Sequence, residues 1–151
     1  MNRRRFLNNA AMLVAAVALP TFAAARSPEV QVFKSPYCGC CGAWVDHMRA
    51  AGFAVNVTEV ADTTAARKRL GVPDRFGSCH TATVEGYVLE GHVPAPEVRR
   101  LLSTRPKAVG LAVPSMPPGS PGMEAGARKD PYQVLLVDAS GGATVFASYP
   151  K

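Results

Sequence analysis

The 151-residue sequence lacks a hydrophobic run long enough to cross a membrane, a long block of basic residues and an internal repeat. Its longest apolar run, residues 10–19, has ten residues, whereas a membrane-spanning helix needs about 20. We therefore expect no permanent membrane anchor. No Lys/Arg run exceeds three residues, and the run at residues 67–69 fits the exposed face of a predicted helix, so the sequence does not favour nucleic acid as a partner. Without a repeat or a break in composition, one domain is expected.

The first 25 residues have the three parts of an export signal: a basic start, the apolar run and the small residues Ala23 to Ala25. We predict cleavage after Ala25, a periplasmic location and a mature domain at residues 26–151. The order RRRFL at residues 3–7 resembles a twin-arginine signal, although three arginines also fit an ordinary basic segment. The mature chain has 14 basic against 11 acidic residues, so its net charge is +3 rather than +6.

Cysteine is scarce but clustered, since three of the four cysteines lie in SPYCGCCG, residues 35–42. The residues that follow predict a helix over 41–51, which places Cys38 near its N-cap and Cys41 in its first turn. Unpaired backbone N–H groups and the helix dipole favour thiolates at that position. Three neighbouring thiolates still repel one another, so the cluster must either oxidise or bind a cation. A Cys38–Cys41 disulfide and a metal site both remain open at this point.

Hydrophobic periodicity predicts an α/β domain with the element order βαβαββα. Strands are predicted at residues 29–34, 54–60, 81–84 and 87–90, and helices at 41–51, 63–70 and 96–104. The second strand shows the alternating pattern of a half-buried strand, and the turn Glu85-Gly86 joins the last two strands as a hairpin. This order is typical of a thioredoxin-like fold. Residues 132–137 and 143–148 predict a C-terminal hairpin that extends the sheet.

The remaining soft metal donors lie in two other segments. Cys79 and His80 immediately precede the third predicted strand, which in a thioredoxin-like topology begins beside the loop after the first strand. Thioredoxins usually carry a cis proline at this corner, and its absence here weakens an oxidoreductase interpretation. A proline-rich loop, residues 113–123, adds the thioethers of Met116 and Met123, and a loop this long is often functional. Cysteine, histidine and methionine together favour copper, above all Cu(I).

Several separated motifs resemble the CopG-type family of periplasmic copper-resistance proteins. They are SPYCGCCG at residues 35–42, SCHTA at 78–82, GHVPA at 91–95, and GLAVPSMP at 110–117 with GME at 122–124. Together these motifs span nearly the whole mature chain. Ser115 stands where the family pattern has glycine, which leaves both methionines in place but alters the expected path of the loop.

The resemblance implies a thioredoxin-like domain that binds copper in copper resistance or homeostasis, with copper ions and other periplasmic copper-handling proteins as partners. Carried onto this sequence, the implied ligands are Cys38, Cys40, Cys41, Cys79, His80, Met116 and Met123. His92 is expected to support the site rather than to bind the metal. Two alternatives stay open: a thiol-disulfide oxidoreductase that uses Cys38 and Cys41, and a structural zinc site. The adjacent cysteines at 40 and 41 fit the usual paired zinc knuckles poorly.

Overall fold

The structure, a computed structural model, describes residues 26–151, so the predicted export signal lies outside the described residues. Its elements are β1 (Glu29–Lys34), α1 (Gly39–Ala50), β2 (Ala54–Glu59), α2 (Thr63–Arg69), a 3₁₀ turn (Asp74–Phe76), β3 (His80–Val84), β4 (Tyr87–Glu90), α3 (Ala95–Thr104), β5 (Gly110–Ala112), β6 (Tyr132–Val137) and β7 (Ala143–Tyr149). Within the described part, no helix combines the length and the apolar character needed to span a bilayer.

The strands form one seven-stranded sheet in the order β2-β1-β3-β4-β5-β6-β7. Strand β1 pairs in parallel with β2 and antiparallel with β3, and β4 pairs antiparallel with β3 and in parallel with β5. The hairpin β6–β7 continues the sheet beyond β5 through antiparallel pairs. The predicted α/β class is confirmed, and so is the order βαβαββα of the strands and α-helices from β1 to α3. The narrower thioredoxin-like assignment stays a prediction.

Helix α1 carries the main link between the site and the core. Its buried positions are Cys41, Trp44, Val45 and Met48, a spacing of three and four residues that places them on one face. Trp44 and Met48 are fully buried and pack with Val30 and Val32 of β1 in the main core cluster. Burying side chains of this size contributes about 1.5–3 kcal/mol each. The cysteines at the start of α1 are therefore attached to a helix that is anchored in the main core.

Strand β5 is the element that the sequence prediction missed. It has three residues, Gly110–Ala112, all of them buried, and such a short run shows no measurable period. A Cβ at Gly110 would lie 1.8 Å from the carbonyl oxygen of Val88, so only glycine allows β5 to approach β4 this closely. The short strand joins the C-terminal hairpin to the rest of the sheet.

Two exposure predictions were wrong. Strand β2 is not half-buried, because it forms an edge of the sheet and five of its six residues are exposed. Arg67 is not on an exposed face either: the residue is only 7% exposed. Its guanidinium turns inward and pairs with the buried carboxylate of Glu90 at 3.1 Å, and this electrostatic partner is invisible to a hydrophobic pattern.

Candidate metal centre

The loop after β1 delivers three cysteines to the start of α1. Cys38 is the N-cap residue of the helix, and its backbone N–H donates to the carbonyl of Ser35 at 3.2 Å. Cys40 and Cys41 follow in the first turn, with Cys41 fully buried. The predicted placement of Cys38 and Cys41 at the helix start agrees with the structure. All three sulfurs thus lie at the positive end of the helix dipole.

Antiparallel pairing of β1 with β3 brings the fourth cysteine to the same place. His80 is paired with Lys34 at the end of β1, so Cys79 lies directly beside the cysteine loop. The Sγ atoms of Cys40 and Cys79 are 3.9 Å apart, and those of Cys38 and Cys40 are 3.5 Å apart. Residues separated by about forty positions in sequence therefore form one sulfur cluster.

The four cysteines are in two oxidation states. Cys38 and Cys41 form a disulfide, whereas Cys40 and Cys79 carry free thiols. Burial, and after it the neighbouring Cys40, raises the pKa of the Cys79 thiol to about 12. Cys79 is accordingly protonated at neutral pH unless a cation offsets the charge of its thiolate. The structure therefore shows one of the two outcomes expected for crowded thiolates, the oxidised one.

Two buried histidines lie on the other side of Cys79. Its Sγ is 3.0 Å from Nε2 of His92 and 3.4 Å from Nδ1 of His80. Nδ1 of His92 donates to the carbonyl of Pro121 at 2.7 Å, since a carbonyl can only accept. Burial lowers the pKa of His92, so the ring is neutral and Nε2 keeps the lone pair that faces the sulfur.

His80 has a buried nitrogen with no hydrogen-bond partner among residues 26–151. This atom is Nε2, and the whole residue has no exposed surface. Burial and then the adjacent His92 lower the pKa of His80 to about 3, so its ring is neutral at pH 7. Unpaired buried polar atoms are rare and call for an explanation. The other nitrogen, Nδ1, faces the Cys79 thiol at 3.4 Å, and a neutral imidazole beside a thiol fits a soft-metal ion well.

The proline-rich loop packs on the first turn of α1. Gly122 has φ +87, and a Cβ there would lie 2.8 Å from the carbonyl oxygen of Cys40 and from the backbone nitrogen of Trp44. Both the positive φ and the close backbone contacts require glycine at this position. Ser115, found where the family pattern has glycine, also has a positive φ of 64°. That backbone conformation is a physical reason for glycine in the pattern.

The structure treats the two loop methionines differently. Met123 and Cys40 line the same open depression, of about 420 Å³, together with Ala43 and Glu124. Met116 is 45% exposed, so the structure does not bury it within the cluster. Its neighbour Ser115 donates its backbone N–H to the carbonyl of Gly77 at 3.0 Å, which keeps this part of the loop close to Cys79.

The potential ligand atoms form two groups that share Cys79. One group is Cys38, Cys40, Cys41 and Cys79, and the other is Cys79, His80 and His92; within each, the ligand atoms lie within 4.8 Å of one another. His92 was expected only to support the site, yet its Nε2 is nearer to the sulfur than the ring of His80. The motif GHVPA was the signal that could have placed it, because its glycine and proline fix a tight corner after β4.

Comparisons with known proteins agree with this arrangement. A family model described as "Protein of unknown function, DUF411" matches residues 76–123, which contain Cys79 and both histidines of the cluster. Two solved structures, described as copper resistance protein CopG in form 2 and form 1, are each 48% identical to the chain and cover 82% of it. The chain covers 99% and 98% of them, with TM-scores of 0.78 and 0.76. No curated protein sequence matches the chain significantly.

The fold and the donor set define a small α/β protein with a candidate site for a soft metal. Identity of 48% over nearly the full length of two CopG structures places it more narrowly. The chain belongs to the CopG family of copper resistance proteins, as the sequence motifs indicated.

Proposed function

We propose that the protein is exported to the periplasm and there binds Cu(I) as part of copper resistance, as cargo held by sulfur and imidazole donors. The ligands we propose are those expected from the sequence, with one addition: Cys38, Cys40, Cys41, Cys79, His80, Met116 and Met123, joined by His92. The observation that carries the proposal is the convergence of a four-sulfur group and a sulfur–imidazole group on Cys79.

The chemistry of these donors favours Cu(I) over harder ions. Thiolates, thioethers and neutral imidazoles are soft or borderline ligands, whereas carboxylates and water suit Mg²⁺ and Ca²⁺. Neither cluster histidine needs to lose a proton, because burial lowers the pKa of both rings. Four sulfurs exceed what one two- or three-coordinate ion requires. We therefore expect the cluster to hold more than one Cu(I).

We expect the disulfide to reduce the copper capacity of the oxidised protein. Breaking the Cys38–Cys41 bond takes two electrons and two protons and yields two thiols. A dithiol supplies both and becomes a disulfide, whereas a phosphine supplies the electrons and becomes its oxide while water supplies the protons and the oxygen. Copper then displaces the thiol protons, so binding releases protons and depends on pH. In the oxidised form only Cys40 and Cys79 offer free thiols, so the number of copper ions bound should be lower.

The test is a Cu(I) titration of the mature protein, purified anaerobically from the periplasm and reduced with a phosphine. A coloured Cu(I) chelator competes for the metal, and a parallel titration uses zinc. We expect retention of Cu(I) well above zinc, with more than one ion per chain. Failure to compete at any ratio, or equal retention of zinc, contradicts the proposal. Sequencing the N terminus of the purified protein checks cleavage after Ala25.

A second candidate function, thiol-disulfide exchange, rests on the disulfide itself. Cys38 is partly exposed at the N-cap, and Cys41 is fully buried in the first turn. A nucleophilic and a resolving cysteine usually divide their exposure in this way. Cys40 separates the two functions, because an enzyme that uses Cys38 and Cys41 does not need it.

The discriminating variant is Cys40→Ser, measured by copper retention and by insulin reduction. If the site binds copper, retention falls clearly although Cys38 and Cys41 remain. If the protein is a reductase, insulin reduction stays near the wild-type rate. Strong reductase activity in both proteins with identical copper retention would favour the enzyme.

A further inference from the structure

A buried carboxylate lies beneath the Cys79–His80 segment without being one of the proposed ligands. Glu90, at the end of β4, has no exposed surface. Its Oε1 accepts the backbone N–H of Ser78 at 2.7 Å, and its Oε2 accepts the hydroxyl of Thr81 at 2.6 Å. One side chain thus holds the residue before Cys79 and the residue after His80.

Arg67 completes the network from helix α2. Its Nη1 donates to Oε1 of Glu90 at 3.1 Å and to the carbonyl of Ser78 at 3.3 Å. Both peptide groups of Ser78 are therefore bound, the N–H by a carboxylate and the carbonyl by a guanidinium. A Cβ at Gly77 would lie 2.8 Å from Cζ of Arg67, so the guanidinium also packs closely against the preceding residue.

We propose that Glu90 and Arg67 are positioning residues which hold Cys79 and His80 in place for the metal. This inference rests on the proposed copper function. Neither residue is in either group of potential ligand atoms, so both act through the peptide groups of Ser78 and the hydroxyl of Thr81 on either side of Cys79 and His80.

The arrangement is more specific than stability alone requires. A buried ion pair adds little stability over apolar residues of similar volume, because desolvation offsets its attraction. Here the pair directs three of its hydrogen bonds at residues 78 and 81, which flank Cys79 and His80 on both sides. Partners of metal ligands in other proteins fix orientation in this way, and their loss costs about 10- to 100-fold in metal affinity.

The test compares Glu90→Gln with Glu97→Gln in the Cu(I) competition assay. Glu97 is a matched control: it is also a buried carboxylate, 1% exposed, with cationic and hydroxyl partners, but it is bound to Tyr149 and Lys151 rather than to the site. We expect Glu90→Gln to lower Cu(I) affinity by about 10- to 100-fold and Glu97→Gln to leave it unchanged. Equal losses in both variants, or no loss for Glu90→Gln, overturn the inference.

A double variant separates positioning from general loosening. If Glu90 acts through Cys79, the affinity lost on Glu90→Gln is much smaller in a Cys79→Ser background, because the two changes disturb the same ligand. Equal losses in both backgrounds overturn the inference. If Glu90→Gln fails to fold, Arg67→Lys replaces it: the charge remains, but a single ammonium cannot reach Glu90 and Ser78 and also keep the bonds that Nε and Nη2 of Arg67 donate to Asp74 and Thr64. That variant should lose affinity to a similar extent.

A readout without copper keeps this inference separate from the proposed function. Hydrogen exchange of the Ser78 amide, measured by NMR on the metal-free protein, reports whether the segment is held. We expect faster exchange in Glu90→Gln and unchanged exchange in Glu97→Gln; unchanged exchange in both contradicts positioning. If exchange responds as expected but the wild type binds no Cu(I), the proposed function fails and the structural contact stands.

Discussion

Two polar clusters in this molecule, each of which contains buried side chains, are built in opposite ways. The C-terminal cluster comprises Glu97, Arg100, Tyr149 and Lys151. In it the carboxylate of Glu97 accepts the Tyr149 hydroxyl at 2.9 Å and Lys151 Nζ at 2.6 Å, and its other oxygen pairs with Arg100 at 2.9 Å. Every carboxylate oxygen has a partner that belongs to the protein. Such a cluster stabilises the fold and leaves no group free for a ligand.

The candidate metal cluster, Cys38, Cys40, Cys41, Cys79, His80 and His92, retains unpaired groups. Nε2 of His80 has no hydrogen-bond partner among the described residues, and Cys40 and Cys79 retain free thiols. Burial there raises the pKa of Cys79, which marks a place where a thiolate needs a cation. The two clusters differ in whether their polar groups are paired within the protein. We take full pairing to indicate a structural cluster, and unpaired soft donors to indicate a metal-binding one. The variants that follow test this distinction.

The largest effect is expected for Cys79→Ser, which removes the donor common to both ligand groups. Loss of a direct ligand should cost more than the loss of an outer partner, hence more than about 100-fold in Cu(I) affinity. The residue is only partly buried and serine is nearly isosteric, so the far-UV circular dichroism spectrum should not change. Chelator competition measures the affinity. Unchanged copper binding would remove Cys79 from the site and would weaken the distinction between the two clusters.

The second-largest effect is expected for Gly122→Ala, which disturbs the contact between the proline-rich loop and α1. The added methyl would meet the backbone of Cys40 and Trp44 at 2.8 Å, in a residue with φ +87. We expect a loss of about 2 kcal/mol in unfolding free energy from strain of this kind, with weaker copper retention because Met123 and Pro121 move away from the cluster.

Gly126→Ala is the matched control for Gly122→Ala. Gly126 also has a positive φ, +70, but a Cβ there meets nothing within 4 Å. Gly126→Ala should therefore lose about 1 kcal/mol of unfolding free energy, from the positive φ alone, and keep full copper retention. Urea unfolding and the copper assay measure both variants. If the two alanines behave alike, the close contact of the loop with α1 has no role in the site.

Most of the architecture was predictable because it follows periodicity and turn chemistry. Asp62, a favoured N-cap residue type, directly precedes the second predicted helix, and its Oδ1 accepts the backbone N–H of Thr64 at 2.8 Å. The hairpin at Glu85-Gly86 has φ of 44° and 88° at those residues, as a tight two-residue turn requires. Strand β5 could not be predicted, since three residues show no period and its place depends on contact between Gly110 and β4.

For the site, the sequence predicted the positions of the cysteines correctly. It did not predict the positions of side chains that depend on buried polar partners. Clustered cysteines and the expected topology located Cys79 beside the first three. The position of His92 depends on the corner after β4 and on the carbonyl of Pro121, twenty-nine residues further along the chain. Arg67 was assigned to an exposed face because local pattern does not reveal Glu90 as its partner. The polar partners of His92 and Arg67 lie far along the chain and are not visible in a local hydrophobic pattern.

A smaller effect is expected for Glu97→Gln, and it concerns the free energy of unfolding rather than copper binding. The change removes the charge that Lys151 and Arg100 neutralise, and both cations are largely exposed, with side chains 61% and 46% accessible. Exposed partners make such pairs weak, so we expect a loss of about 1 kcal/mol in unfolding free energy. Urea unfolding measures this loss. A clear fall in copper affinity instead would show that the two clusters are coupled.

The smallest effect expected is the pH dependence of the stability that Glu97 contributes. Burial works to raise the pKa of Glu97, but hydrogen bonds from Lys151 and Tyr149 outweigh it, and the pKa lies below its ordinary value of 4.5. A carboxyl whose folded pKa is lowered contributes stability that is complete above the unfolded pKa and is lost as pH falls through the folded pKa. The stability difference between wild type and Glu97→Gln should therefore be constant near neutral pH and shrink below about pH 4.3. Other carboxylates titrate in both proteins and cancel in the difference. Urea midpoints from pH 7 to pH 3 measure it, and a difference that stays constant down to pH 3 would show that Glu97 stabilises the fold by shape rather than by charge.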